Sequence, residues 1–424
     1  MPIDWAGTLS GMVHKQEGGR WKAGTGSILT INGGSSTLKF ALFRQEATLV
    51  RELSGLIDRI GSPQGTFTWM QEGGTLADRR TVDAPDHAAC LDMLIACVNG
   101  LRAHEPLRAI GHRVVHGGRE YREPQRVTPE VMEALQRLSP YDPEHLPAEI
   151  ALIEACLRRY PDLPQVACFD TAFHQGMPNV ARLLPIPRRY DKLGLQRYGF
   201  HGLSYAFLMK ELARIGESGE AKGRVILAHL GNGASMAAVK GGQPIDTTMG
   251  FTPASGLPMS RRSGDLDPGL VSYLARTEGM SADRFHRMVN TESGLLGLSE
   301  ISSDMRDLLK EERNDPRAAE AVAFFCYQAR KAVGSLAAAL GGLDTLVFSA
   351  GIGEHAPVIR ARICDGLEFL GIELDDARNQ ANAAVISKDG SPVTVRVMHT
   401  DEEREIAESV IQVLSQERTD RGGA

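Results

Sequence analysis

Two segments about half a chain apart share one pattern, and that pattern limits the fold more than any other feature. Residues 27 to 43, SILTINGGSSTLKFALF, carry an apolar run into the turn Asn32-Gly33-Gly34-Ser35-Ser36-Thr37 and a second apolar run out of it. Residues 225 to 240, VILAHLGNGASMAAVK, do the same around Gly231-Asn232-Gly233-Ala234-Ser235. Each reads as a β-hairpin with a small, hydroxyl-bearing turn. Taken singly, each is also an ordinary hairpin. The pair points to an old duplication, giving two α/β domains that each present one phosphate-sized turn. The first turn is not a P-loop, because the GxxxxGK[ST] pattern is missing.

The remaining segments suit an α/β chain. Residues 127 to 138 (VTPEVMEALQRL) read as a helix with a Thr-Pro start, and residues 146 to 159 (LPAEIALIEACLRR) as another opened by Pro. Residues 318 to 340 form a long helix apolar on most faces, ended by Gly341-Gly342. Such a helix is buried in a core or at a subunit interface. The segment DTLVFSAGIGEH then reads as a buried strand entering a Gly-rich turn, and residues 402 to 417 as an amphipathic helix.

Composition narrows the function classes. Hydrophobic residues at 42% and charged residues at 24% are ordinary for a folded globular chain of 424 residues. A net charge of -6 argues against nonspecific binding to nucleic acid or an anionic membrane. No apolar run approaches the ~18 residues that span a bilayer. The six cysteines, Cys90, Cys97, Cys156, Cys168, Cys326 and Cys364, form no CxxC and read as reduced, mostly buried thiols. Residues 1 to 26 lack a signal-peptide apolar core and read as a polar, Gly-rich, flexible extension. The expected location is cytoplasmic.

Several constellations bear chemistry. In INGGSSTLKF, hydroxyls and turn N–H groups suit phosphate, Lys39 offers a point charge, and Asn32 suits a hydrated Mg²⁺. In AIGHRVVHGGRE, Arg113 lies inside an apolar strand, where a guanidinium needs an anionic partner. That partner is a bound carboxylate or phosphate, or a structural carboxylate. In ACFDTAFHQ, Asp170 ends an apolar strand, a position that faces a ligand crevice or caps the following turn. His201 sits in RYGFHGLSY, and Arg261 and Arg262 sit beside a Ser-Gly-Asp turn in GLPMSRRSGDLDPG. Gly351 and Gly353 permit close approach of a flat base or ribose. Glu402 suits either a helix cap or a metal-shell carboxylate.

The order of motifs is more specific than any one of them. NGGSSTLKF, GHRVVHGG, FDTAFHQ, RYGFHG, HLGNGAS, MGFTP, RSGDLDP, SSDMRD, FSAGIGE and TDEE follow one another from about residue 27 to residue 407. In this the chain resembles the acetate kinase (acetokinase) family of the acetate and sugar kinase/actin-like superfamily. The resemblance implies a duplicated ribonuclease-H-like (actin-like ATPase) α/β fold, with two domains around a nucleotide cleft. It implies a cytoplasmic homodimer that interconverts acetate plus ATP with acetyl phosphate plus ADP, using Mg²⁺ or alternatively Mn²⁺.

The family's roles map residue by residue. Domain I is expected at 27–172 plus 396–420, and domain II, for nucleotide and dimer contacts, at 173–395. Asn32 and Glu402 would hold the metal, and Lys39 would contact ATP. Arg113 would bind the substrate carboxylate, with Asp170 as the catalytic carboxylate and His201 and Arg262 stabilising the transition state. His229, Leu230, Gly231, Asn232 and Gly233 would hold the nucleotide phosphates. Asp304, Met305 and Arg306, with Gly351, Ile352, Gly353, Glu354 and His355, would form the adenosine pocket. His145 aligns from HLPAEIALIEA. Departures are Leu203 and Tyr205 for a Thr and a His, Ser260-Arg261 for Gly-Thr, Met305 for an aromatic, and His355 for Asn. Three readings stay open: acetate as substrate; propionate or butyrate by the same chemistry; or an actin-like or chaperone-like ATPase with no acyl acceptor.

Overall fold

A computed structural model of the chain describes residues 26–34, 36–62, 64–71, 76–101, 106–217 and 219–422. The extension up to residue 25, and Ser35 of the first turn, lie outside the described residues. The chain divides into two compact units, residues 1–172 with 402–424, and residues 173–401. The segment from 396 to 401 belongs with the second unit, because the last strand there is an edge strand of that unit's sheet.

The first unit is built on β1 (Ser27–Gly33), β2 (Thr37–Gln45), β3 (Leu49–Asp58), β4 (Gly65–Gln71), β5 (Leu76–Val82), β6 (Leu107–Val114), β7 (Gln125–Arg126) and β8 (Gln165–Phe169). Their order in the sheet is β5-β4-β3-β2-β1-β6-β8-β7. The first five strands run antiparallel in sequence, whereas β1, β6 and β8 are mutually parallel. The central strands β1 and β8 are buried along their whole length, as expected where helices cover both faces. Ile110 joins the core formed with helices His87–Leu101 and Leu146–Arg159. The next residue, Gly111, turns to the opposite face, where a Cβ would stand 2.4 Å from Ile406 Cγ2 of the helix Glu402–Gly422. Only glycine lets that helix lie so close to the sheet.

The second unit repeats the plan with β9 (Arg224–Leu230), β10 (Ala234–Lys240), β11 (Gln243–Thr247), β12 (Thr345–Ser349) and β13 (Thr394–Val397). Its order is β11-β10-β9-β12-β13, with β9, β12 and β13 parallel. The same arrangement, a three-strand antiparallel run followed by two parallel strands, forms β3-β2-β1-β6-β8 in the first unit. The helix Gly202–Ile215 contributes Tyr205, Leu208 and Leu212 to a core with Val225, Leu227, Ala237 and Val347. The helix Pro316–Leu340 packs on β9, β10 and β11 and ends at Gly341, whose φ of +75° only glycine adopts cheaply.

Candidate active site

In each unit the chemically loaded residues stand at the carboxyl ends of the parallel trio of strands, where open α/β sheets present their ligand sites. In the first unit these ends carry Asn32, Arg113 and Asp170. Arg113 is the penultimate residue of β6 and its side chain is 14% exposed. Its Nε and Nη2 donate to Asp170 Oδ2 at 3.2 and 2.7 Å. Its Nη1 donates to Glu149 Oε1 at 3.1 Å and to the Gly33 carbonyl at 3.2 Å. Burial opposes the guanidinium charge, but Asp170 and Glu149 outweigh it and hold Arg113 more firmly protonated than usual.

Glu149 itself is almost wholly buried on the first turn of helix Leu146–Arg159. Burial pushes its carboxyl up to about 8, against the pull of Arg113 and of the Val115 N–H, which donates to Oε2 at 2.8 Å. Nearby, His145 Nδ1 lies 2.9 Å from Asp142 Oδ1. Burial would raise the Asp142 carboxyl, yet His145 and Arg113 hold it below its usual range. Asn32 Nδ2 donates to Glu402 Oε2 at 2.9 Å, at the start of the last helix. Lys39 lies opposite Asn32 in the β1–β2 register and is exposed.

In the second unit the turn His229–Gly233 closes the β9–β10 hairpin, with the Gly231 N–H donating to the Gly233 carbonyl at 2.9 Å. His201 holds a left-handed backbone, φ +58°, just ahead of helix Gly202–Ile215. Its ring stacks on His229 with centroids 4.2 Å apart. His201 Nδ1 lies 2.8 Å from Ser235 Oγ, which also hydrogen-bonds the Tyr205 hydroxyl. His229 Nδ1 lies 2.8 Å from Ser204 Oγ, which in turn meets the Thr400 hydroxyl. A Cβ on Gly233 would stand 3.0 Å from His201 Nε2 and 3.7 Å from Arg262 Nη2. The turn, His201 and Arg262 therefore share one small space. Arg262 Nη1 is fixed on the Pro253 carbonyl at 2.8 Å, whereas Arg261 is exposed.

The segment after β12 differs from the sequence expectation. Residues Ala350–His355 form a short helix rather than an open Gly-rich turn. Its entry is made by Ala350 at φ +63°, and Glu354 caps the Ala350 N–H through Oε1 at 2.7 Å. Burial would raise the Glu354 carboxyl, but the bond from His399 Nδ1 to Oε2, 2.8 Å, and the Ala350 and Thr400 N–H groups lower it. The wholly buried Arg360 donates to the carbonyls of Gly353 and Glu354 at 2.8 and 3.0 Å. Gly351 approaches the Gly231 turn through Ala350, so these two motifs adjoin. His355 points outward, 76% exposed. Asp304 caps the helix Met305–Glu311 and pairs with the exposed Arg306, and Met305 is buried.

Sequence reading missed Glu149, Ser204 and Arg360, and read Ser235 only as part of a turn. His174, four residues after Asp170 in the same motif, is a core residue. Its Nε2 holds the Phe200 carbonyl at 2.9 Å, just before His201, and burial pushes its ring down to about 4.

Known proteins match this arrangement along nearly the whole chain. The acetokinase family model matches residues 27–408. An acetate kinase from Shouchella clausii is 42% identical over 92% of this chain and 99% of its own. A propionate kinase from Citrobacter rodentium is 40% identical over 91% of this chain and 96% of its own. The crystal structure of Porphyromonas gingivalis acetate kinase superposes with a TM-score of 0.82 at 35% identity, covering 92% of this chain and all of that one.

Proposed function

The chain belongs to the acetokinase family, and on that footing we propose that it transfers the γ-phosphoryl group of ATP reversibly to the carboxylate of acetate, giving acetyl phosphate and ADP. The observation that carries this reading is Arg113, a guanidinium anchored on two carboxylates at the end of a central strand. An actin-like ATPase without an acyl acceptor would hold it only as a structural ion pair.

A carboxylic acid with a pKa near 4 is ionised at neutral pH, so the acceptor needs no general base. What the reaction requires is placement and cancellation of negative charge. Arg113 holds the carboxylate. Asp170 bonds the guanidinium through both Nε and Nη2, which supports a role in orienting that cation rather than in removing a proton. The His229–Gly233 turn takes the nucleotide phosphates with backbone N–H groups, and Lys39 adds a point charge. His201 and Arg262 meet the charge that develops on the transferred group, where a positioned arginine is worth about 10³–10⁵ in rate. The Gly351–His355 segment and Asp304–Arg306 are assigned to adenosine.

Asn32 and Glu402 suit Mg²⁺, with Mn²⁺ fitting the same oxygens. They place an amide and a carboxylate within one hydrogen bond, and no group of three or more His, Cys, Asp or Glu among the described residues would cage an ion. That donor set fits a cation that keeps most of its waters. The bound ion would neutralise charge on the phosphates. A homodimer and a cytoplasmic location complete the proposal. The six free, buried cysteines support the location, and no described helix is long and apolar enough to cross a membrane.

The 40% identity to a propionate kinase favours propionate as the second reading. One methylene decides only ~1–3 kcal/mol in an apolar pocket. Trapping acyl phosphate with hydroxylamine, using ATP, Mg²⁺ and formate, acetate, propionate or butyrate, tests both. The largest kcat/KM is expected with acetate. Hydrolysis of ATP with no acyl phosphate from any acid would sink the kinase reading.

A further inference from the structure

Arg113 has five N–H groups. One on Nε and one on Nη2 go to Asp170, and two on Nη1 go to Glu149 and the Gly33 carbonyl. A single N–H on Nη2 is left. A substrate carboxylate therefore meets one donor rather than the two-pronged fork, unless the guanidinium turns. One oxygen of the acid is held and the other is left for attack on phosphorus. That selectivity lasts only while the guanidinium plane is fixed from its Nη1 edge.

Glu149 supplies the fixing. Its two oxygens span the Arg113 side chain and the main-chain N–H of Val115, two residues further along, so it ties the guanidinium to the strand end that carries it. Its burial is costly for a carboxylate and makes little sense as a helix-surface charge. Resting on the carboxylate-kinase reading, we propose that Glu149 is a positioning residue for the acceptor: it locks Arg113 so that one N–H alone engages the acid.

Steady-state kinetics of Glu149→Gln test this. Gln keeps the size but can accept only one of the two bonds, since its second terminal atom is a donor. The acetate KM is expected to rise about tenfold, roughly one lost charge-assisted bond, with the ATP KM within twofold of wild type. In an Arg113→Lys background the same change is expected to add nothing to the acetate KM, because its effect runs through the guanidinium. If Glu149→Gln melts below assay temperature, Glu149→Asp retains the carboxyl group, cannot span both partners, and is expected to show the same split. An unchanged acetate KM, equal rises in both KM values, or full additivity with Arg113→Lys would overturn the assignment. Wild-type protein that makes no acyl phosphate from any acid would instead overturn the kinase reading itself.

Discussion

At the scale of single residues, the candidate site is built from side chains whose hydrogen bonds are committed in advance. His201 is the clearest case beside Arg113: its Nδ1 meets Ser235, and Ser235 meets the Tyr205 hydroxyl, so the ring's tilt is set from behind. Tyr205→Phe removes one bond of that relay. A net hydrogen bond is worth ~1 kcal/mol, so kcat is expected to fall about fivefold with both KM values little changed. Steady-state assays check this, and an unchanged kcat would remove the relay from the account. Arg113 and Asp170 were legible in the sequence because a charge inside or at the end of an apolar strand stands out. Glu149 carried a weaker signal. It shares a helical face with Leu146, Ile150 and Ile153, so a carboxylate sat on the core stripe. Ser235 and Tyr205 could not be paired from sequence. Their contact depends on how a helix docks against a strand.

At the scale of elements, both hairpins and the helices at 146–159 and 402–422 follow from periodicity and from proline or acidic starts. The helix Ala350–His355 did not, because two glycines read as a turn while the Glu354 cap that starts the helix is a tertiary feature. Among the buried histidines of strands and loops, His112, His116 and His174 are each pushed by burial from 6.5 down to about 4. Their unfolded rings take protons first, so stability is expected to fall as pH drops from 6.5 towards 4, by up to roughly 3 kcal/mol for each ring. Glu149, raised by burial, acts in the opposite sense between 4.5 and about 8, but it is one group against three. Urea melts at pH 7.5, 6 and 5 should show a falling midpoint with an unchanged slope. A midpoint that stays flat or rises on acidification would contradict this burial.

At the scale of the whole molecule, the repeated sheet order explains why the motifs recur in two clusters. Duplicated units place the carboxyl ends of β1, β6 and β8, and of β9, β12 and β13, in equivalent positions. The candidate site motifs occupy those ends. The two hairpins made the duplication legible, since a strand–turn–strand unit survives as local sequence. The outer strands β3 and β4 were not legible as members of the first sheet, because their half-exposed faces lack a continuous apolar run. The central claim is that one arginine of the first unit holds the acid and leaves the nucleotide to other groups. Measuring the acetate and ATP KM values of Arg113→Ala tests it most directly. The acetate KM should rise roughly a hundredfold, about 3 kcal/mol for a charge-assisted contact, while the ATP KM stays within a few-fold. An acetate KM at the wild-type value in a folded, active variant would contradict the account.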